Sequence, residues 1–186
     1  MKAQIIVDSA DIDRILTRMS HEILEVHKGT ELLTLIGIHT RGVYMAQRIQ
    51  KRILDIEGVE VPAGTLDITL YRDDWTRISH HPVIQDTHIP FSVDDRDIIL
   101  VDDVLFTGRT IRAAMDALID FGRPNRIELA VLVDRGYREL PIQANYAGKF
   151  VSTRRSESVN VMLSECDGVD QIVLMDEGKK HGDQRT

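Results

Sequence analysis

Asp97-Ile98-Ile99-Leu100-Val101 runs straight into Asp102-Asp103-Val104-Leu105-Phe106-Thr107-Gly108-Arg109-Thr110. Ile98 to Val101 is apolar at every position, which suits a strand covered on both faces. The loop beginning at Asp102 leads into a helical pattern from about Thr110 to Phe121, which Gly122 and Pro124 close. A second wholly apolar strand, Ile127 to Val133, comes next. Strand, loop, helix, strand with both strands buried predicts an α/β protein: a parallel sheet with helices on both faces.

Upstream, Asp8 or Ser9 can cap a helix carrying Ile12, Ile15, Leu16, Met19, Ile23 and Leu24 at helical spacing, with Gly29 as its stop. Leu32 to Gly37 reads as a strand, and Gly42 to Ile56 as a helix. Alternation in Leu66-Asp67-Ile68-Thr69-Leu70-Tyr71 predicts another strand, while residues 72 to 89, rich in charge, His and Pro, read as a mobile loop. Downstream, Pro141, Gly148, the alternating Val159 to Leu163, the turn Asp167-Gly168 and a last strand Gln171 to Met175 predict a small hood of short strands. The hood is expected over about 136–165, on the sheet's carboxyl edge, with a loose polar tail at 178–186. One domain over 1–186 is the expectation.

With 42% hydrophobic residues the chain can bury roughly 70% of the surface it exposes unfolded. Its 23 basic and 30 acidic residues give a net charge of -7, which opposes wholesale capture of DNA, RNA or anionic membrane, so any RNA site must be a local patch. The single Cys166 cannot form an internal disulfide, and with scattered His it offers no zinc spacing. No apolar run approaches the roughly 20 residues that span a bilayer. A cytoplasmic protein without a protein-bound metal cluster is expected.

In open α/β sheets ligands bind beyond the carboxyl ends of the strands, where Asp102 and Asp103 fall. Taken alone, these are solvated loop residues, a helix cap or ligands for hydroxyl groups. Thr107-Gly108-Arg109-Thr110 then opens a helix with a Gly where backbone approaches a ligand, hydroxyls on both sides and free N–H groups at the positive helix end. Carboxylates for vicinal hydroxyls beside a phosphate cup match a ribose 5-phosphate lying across the loop. The Gly-Lys-Ser/Thr ending of a Walker loop is missing.

Ile98 to Thr110 resembles the phosphoribosyl-pyrophosphate (PRPP) signature of type I phosphoribosyltransferases. Gly37-Ile38-His39-Thr40-Arg41-Gly42, Leu66 to Asp74, Asp116-Ala117-Leu118 with Gly122-Arg123-Pro124, and Asp134-Arg135-Gly136 with Arg138-Glu139-Leu140-Pro141-Ile142 resemble, more narrowly, the PyrR family. These are bifunctional pyrimidine-operon attenuation proteins and uracil phosphoribosyltransferases. The resemblance implies that the Ile38–Gly42 loop grips pyrophosphate through Thr40 and Arg41, although an Arg in a strand-helix loop is also a common surface residue. It implies that a lid begins at Tyr71-Arg72, with Arg72 on departing pyrophosphate. Uracil would be read by the segment around Arg135 and by backbone near Val159, a residue equally suited to a core strand. Mg²⁺ would arrive with PRPP, uracil would be the second substrate and UMP the effector. Asp103 is a candidate to help remove the uracil proton.

On the first helix Arg14, Arg18, His21 and Lys28 share one face, with Thr17 adjoining. Interleaved Asp11, Asp13, Glu22 and Glu25 make this equally a solvated face. The resemblance implies RNA binding through Arg14, Thr17, Arg18 and His21, with pyrimidine-operon leader mRNA as partner and a homodimer or homotetramer as the assembly. The chain departs from the family's usual residues at Tyr137 (His), Val26 and Gln143 (basic), which weakens the basic surface, and at His39 (Lys), which leaves the pyrophosphate loop with less permanent charge. The alternative is a nucleobase-salvage transferase with no RNA role. A purine enzyme would share the loop but not the Asp134–Ile142 segment.

Overall fold

Asp8 lies in extended backbone, and its carboxylate accepts the Asp11 amide at 2.9 Å, so the chain turns there into α1 (Ser9–His27). Lys28 ends that helix in the left-handed region. The computed structural model describes residues 2–71, 86–154 and 156–176. From α1 the chain runs through β2 (Leu33–Ile38), α2 (Arg41–Glu57) and β3 (Ala63–Leu66). Next come β4 (Asp97–Leu105), α3 (Arg109–Ile119), β5 (Arg126–Asp134) and β6 (Tyr146–Phe150). These strands form one parallel sheet in the order β3-β2-β4-β5-β6. The chain leaves β2 toward β3 on one side and returns to β4 on the other, so the order reverses between β2 and β4. A crevice opens at their carboxyl ends, the usual place for a ligand.

Alternation along the central strands divides the core into two layers. Leu35, Ile99 and Val101 face α1 and α2, whereas Ile36, Ile98 and Leu100 face α3. All six are buried. At the sheet's other end His27 is held between Glu128 at 2.9 Å and Asp97 at 3.3 Å, so those buried carboxylates have partners.

Several expectations are corrected. The strand predicted at 66–71 lies at Ala63–Leu66, because Asp67 then binds the amide and hydroxyl of Thr69 at 2.8 and 2.6 Å and pulls the chain into a turn. Asp102 and Asp103 are not loop residues: β4 continues to Leu105, paired with Asp134 of β5, and the loop shrinks to 106–108. The small sheet does not coincide with 136–165. It is antiparallel, ordered β1-β8-β7, from β1 (Lys2–Val7), β7 (Glu157–Met162) and β8 (Gln171–Asp176), with the short helix α4 (Ser164–Asp167) between the last two. Tyr146–Phe150, inside the expected hood, instead pairs with β5 in the main sheet. The predicted mobile loop lies outside the described residues over 72–85, Arg72 included, as does the tail. Beyond that gap His88 returns to bridge Thr65. No described helix is long and apolar enough to cross a membrane.

Candidate functional site

The loop from Ile38 to Gly42 is drawn tight over the crevice because two glycines let backbone pass at contact. Gly37 lies against Val43, and Gly42 lies against Val101 and Asp102 in the middle of β4. The His39–Thr40 peptide is cis. Arg41 opens α2, and its Nε and Nη2 donate to the two oxygens of Asp167 at 3.2 and 2.9 Å. That carboxylate raises the Arg41 pKa further, with Asp103 adding a weaker attraction. The guanidinium thus stands near both the small sheet and the β4 carboxylates.

Asp102 is buried, and its Oδ1 accepts the Asp103 amide at 2.9 Å; Asp103 in turn accepts the Val104 amide at 2.8 Å. Burial, and then the neighbouring Asp103 charge, pushes the Asp102 carboxyl well above the usual range. Burial raises Asp103 too, while the Val104 amide and Arg41 hold it back. When both are ionised these adjacent buried carboxylates repel one another, a strain that a cation or hydroxyl donors would relieve.

Gly108 has φ +90 and caps α3, so the loop ends at the helix's positive end, where the Arg109 amide donates to Thr107 Oγ1 at 3.3 Å. Residues 138–142 buttress this loop. Glu139 and Leu140 amides donate to the Thr107 carbonyl at 2.9 and 3.2 Å, and Glu139 pairs with Arg109 at 2.6 Å. Arg138 donates to the Phe106 and Ile142 carbonyls, each at 2.8 Å, and pairs with Asp134 at 2.5 Å. The Arg-Glu-Leu-Pro-Ile run is therefore a brace for the loop and not only a signature.

Beside the loop, Arg135 is buried, lies 3.9 Å over the Phe106 ring and donates to the Glu157 carbonyl at 2.8 Å. The Tyr137 ring meets Phe106 edge-on at 6.3 Å, and its hydroxyl donates to the Thr153 carbonyl at 2.7 Å. Arg135 Nε, Thr153 Oγ1 and Ser158 Oγ are buried without a hydrogen-bond partner, an unusual set of polar atoms in a folded protein. A cavity of about 720 Å³ opens along Asp134–Arg138, Gln143 and Phe150–Ser152. Val159 is half-buried against the α1/α2 layer, and its backbone pairs with Leu174 in the small sheet. Asp167 was not found from the sequence, since its partner Arg41 lies 126 residues earlier, and Thr153 and Ser158 belong to no motif that would single them out.

On α1, Arg14, Thr17, Arg18 and His21 are all exposed, and Thr17 and His21 share a groove of about 360 Å³ with Lys51 and Arg52 of α2. The cations are partly engaged: Arg14 binds Asp11 at 2.5 Å, and Arg52 meets Asp13. Arg18 binds Glu22 at 2.6 Å and reaches the carbonyls of Ala147 and Gly148 on β6 at 3.2 and 2.7 Å.

A five-stranded parallel sheet with an Asp-Asp pair in its central strand, a Gly-capped turn into a helix and a tight Arg loop at its switch point is the architecture of a phosphoribosyltransferase. Residues 3–160 match the phosphoribosyl transferase domain family. The chain is 57% identical over 171 residues to a bifunctional protein PyrR of Deinococcus radiodurans, covering 92% of this chain and 93% of that protein. It is also 57% identical to one of Thermus thermophilus, covering 91% and 93%. The chain therefore belongs to the PyrR family. A hypoxanthine phosphoribosyltransferase of Trypanosoma cruzi superposes with a TM-score of 0.71 over 93% of this chain and 96% of its own, at 16% identity, a likeness of fold alone.

Proposed function

We propose that the crevice converts uracil and PRPP to UMP and pyrophosphate, and that nucleotide in the same crevice governs binding of a pyrimidine-operon leader RNA to the α1 face. The observation that carries the first half is that Arg41, at the start of α2 just beyond β2, lies within electrostatic reach of Asp103 on the neighbouring strand β4. The family relationship and the exposed α1 face support the second half.

In the reaction the bond from ribose C1 to pyrophosphate oxygen breaks with its electrons on oxygen, uracil N1 bonds to C1, and the N1 proton is lost. Asp102 and Asp103 would receive the ribose hydroxyls, and the loop 106–110 the 5-phosphate. Arg41, always charged, would stabilise the diphosphate as its charge grows. Arg135 and the backbone near Val159 would hold the uracil edge, and Thr40 would support the diphosphate. Asp103, whose raised pKa brings it nearer neutrality, is the candidate acceptor for the uracil proton. Arg72, which lies outside the described residues, would be the further candidate for the leaving group.

Among the described residues no group of three acidic, His or Cys side chains could cage a metal. Two adjacent carboxylates do fit an Mg²⁺ carried in on PRPP, since that ion is commonly held by one or two carboxylates and phosphate oxygens. When bound, the ion neutralises charge on the diphosphate.

The test is binding of the purified protein to leader RNA at fixed salt, with and without UMP, alongside UMP formation from uracil and PRPP. Binding that UMP strengthens supports the regulator. A second reading, a salvage transferase without an RNA role, is favoured by the engagement of Arg14 and Arg18 within the protein. UMP formation with no RNA bound under either condition selects it. A homodimer or homotetramer is the proposed assembly, checked by light scattering.

A further inference from the structure

We propose that Asp167 is a positioning residue for the diphosphate site: it grips one edge of the Arg41 guanidinium and presents the opposite edge to the ligand. Both contacts, Nε to Oδ2 at 3.2 Å and Nη2 to Oδ1 at 2.9 Å, use the same side of the planar group. Nη1 and the second Nη2 hydrogen remain on the far side, where two parallel donors suit a pair of phosphate oxygens. This inference rests on the reading of Arg41 as a diphosphate ligand.

The aspartate is itself held. Its Oδ2 also accepts the Leu163 amide at 2.9 Å, at the start of the turn that contains α4. That turn is bolted to α2 a second time. Arg48, two helical turns beyond Arg41 on the same face, donates to Glu165 at 2.8 and 2.6 Å, to Asp170 at 2.7 Å and to Ser164 at 2.9 Å. The side-chain parts of Arg41 and Asp167 are 30% and 18% exposed, so the pair is half shielded from solvent. An unheld arginine would lose its rotamer freedom each time a ligand bound; here that freedom is already gone. The small sheet thereby contributes to the diphosphate site without touching substrate.

Charge and position predict opposite signs, which makes the idea testable. Replacing Asp167 by Asn removes a negative charge near an anion site, so electrostatics alone would tighten PRPP. Loss of position would weaken it. The expected result for Asp167→Asn is a KM for PRPP raised about 10-fold, with kcat and the KM for uracil within about two-fold. Calorimetric binding of Mg-PRPP should weaken in parallel, and Asp167→Glu should recover part of the loss. With Arg41→Lys already in place, adding Asp167→Asn should change the KM for PRPP by less than about two-fold, because the planar fork is gone. An Asp167→Asn protein of unchanged thermal stability whose KM for PRPP is unchanged or lower, while Arg41→Lys raises it, overturns the role of Asp167 and leaves that of Arg41 standing. An Arg41→Lys protein with unaltered PRPP binding overturns the reading of Arg41 and this inference with it.

Discussion

A methyl group on Gly42 would stand 2.3 Å from the carbonyl oxygen of Val101, far inside van der Waals contact. Helix α2 therefore sits on the middle of β4 only because position 42 has no side chain. Gly42→Ala must push the start of α2, and Arg41 with it, away from the Asp102–Asp103 pair. The expected cost is about 2–3 kcal/mol of stability, measured by urea unfolding, with a KM for PRPP raised more than the KM for uracil.

The Asp102–Asp103 pair should leave a mark on the pH dependence of stability. A carboxyl whose folded pKa exceeds its unfolded value binds more protons when folded, so its contribution is full at low pH and is lost as pH rises through the folded pKa. At neutral pH, above the ordinary carboxylate range, Asp102 is a burden on the fold. Asp102→Asn is expected to raise the melting temperature at neutral pH by about 3 °C, a gain that disappears below about pH 4, while PRPP binding weakens. Melting curves across that range, with PRPP calorimetry, check both parts; a gain that grows as pH falls contradicts the assignment.

Arg138 ties the Phe106 carbonyl at the start of the 106–108 loop to Asp134 and to the Ile142 carbonyl. Arg138→Ala leaves the Asp134 carboxylate, 10% exposed, short of a partner and should cost about 3 kcal/mol. Arg138→Lys should recover little, since one ammonium cannot reach three acceptors in fork geometry. Denaturant midpoints for the two proteins would show this, and near-wild-type stability in Arg138→Lys would contradict it.

Arg18 and His21 separate support of the fold from RNA contact. Arg18→Ala removes the donor to two β6 carbonyls and should lower stability by about 1 kcal/mol in addition to any effect on RNA. His21→Ala, exposed on the same face, should leave stability unchanged and weaken RNA binding alone. For Arg18→Ala the log–log salt dependence of RNA affinity should flatten by about one. A salt slope equal to that of the unaltered protein would assign Arg18 wholly to the fold.

The elements readable in the sequence were those whose signals are local. The apolar Ile98–Val101 run, the Asp8 cap and the Gly108 helix start each act within a few residues, and each lies where expected. The misplaced strand at 66–71 has a local cause as well: alternation pointed one way, and the Asp67 side chain's bond to Thr69 prevailed. What escaped was non-local. Lys2–Val7 becomes a strand because Gln171–Asp176 pairs with it, and Asp167 matters because Arg41 lies 126 residues earlier. Asp102 and Asp103 looked like loop residues because the pairing that keeps them in β4 comes from β5.

That antiparallel pairing of β1 with β8 gives the chain a calendar. The parallel sheet through β6 can form while synthesis is still in progress, but the small sheet cannot close until residues 171–176 leave the ribosome to meet residues 2–7. In a nascent chain Asp102 and Asp103 can therefore take their places in β4 while Arg41 still lacks the carboxylate that grips it. The guanidinium is fixed in direction only after the sheet beneath it has formed.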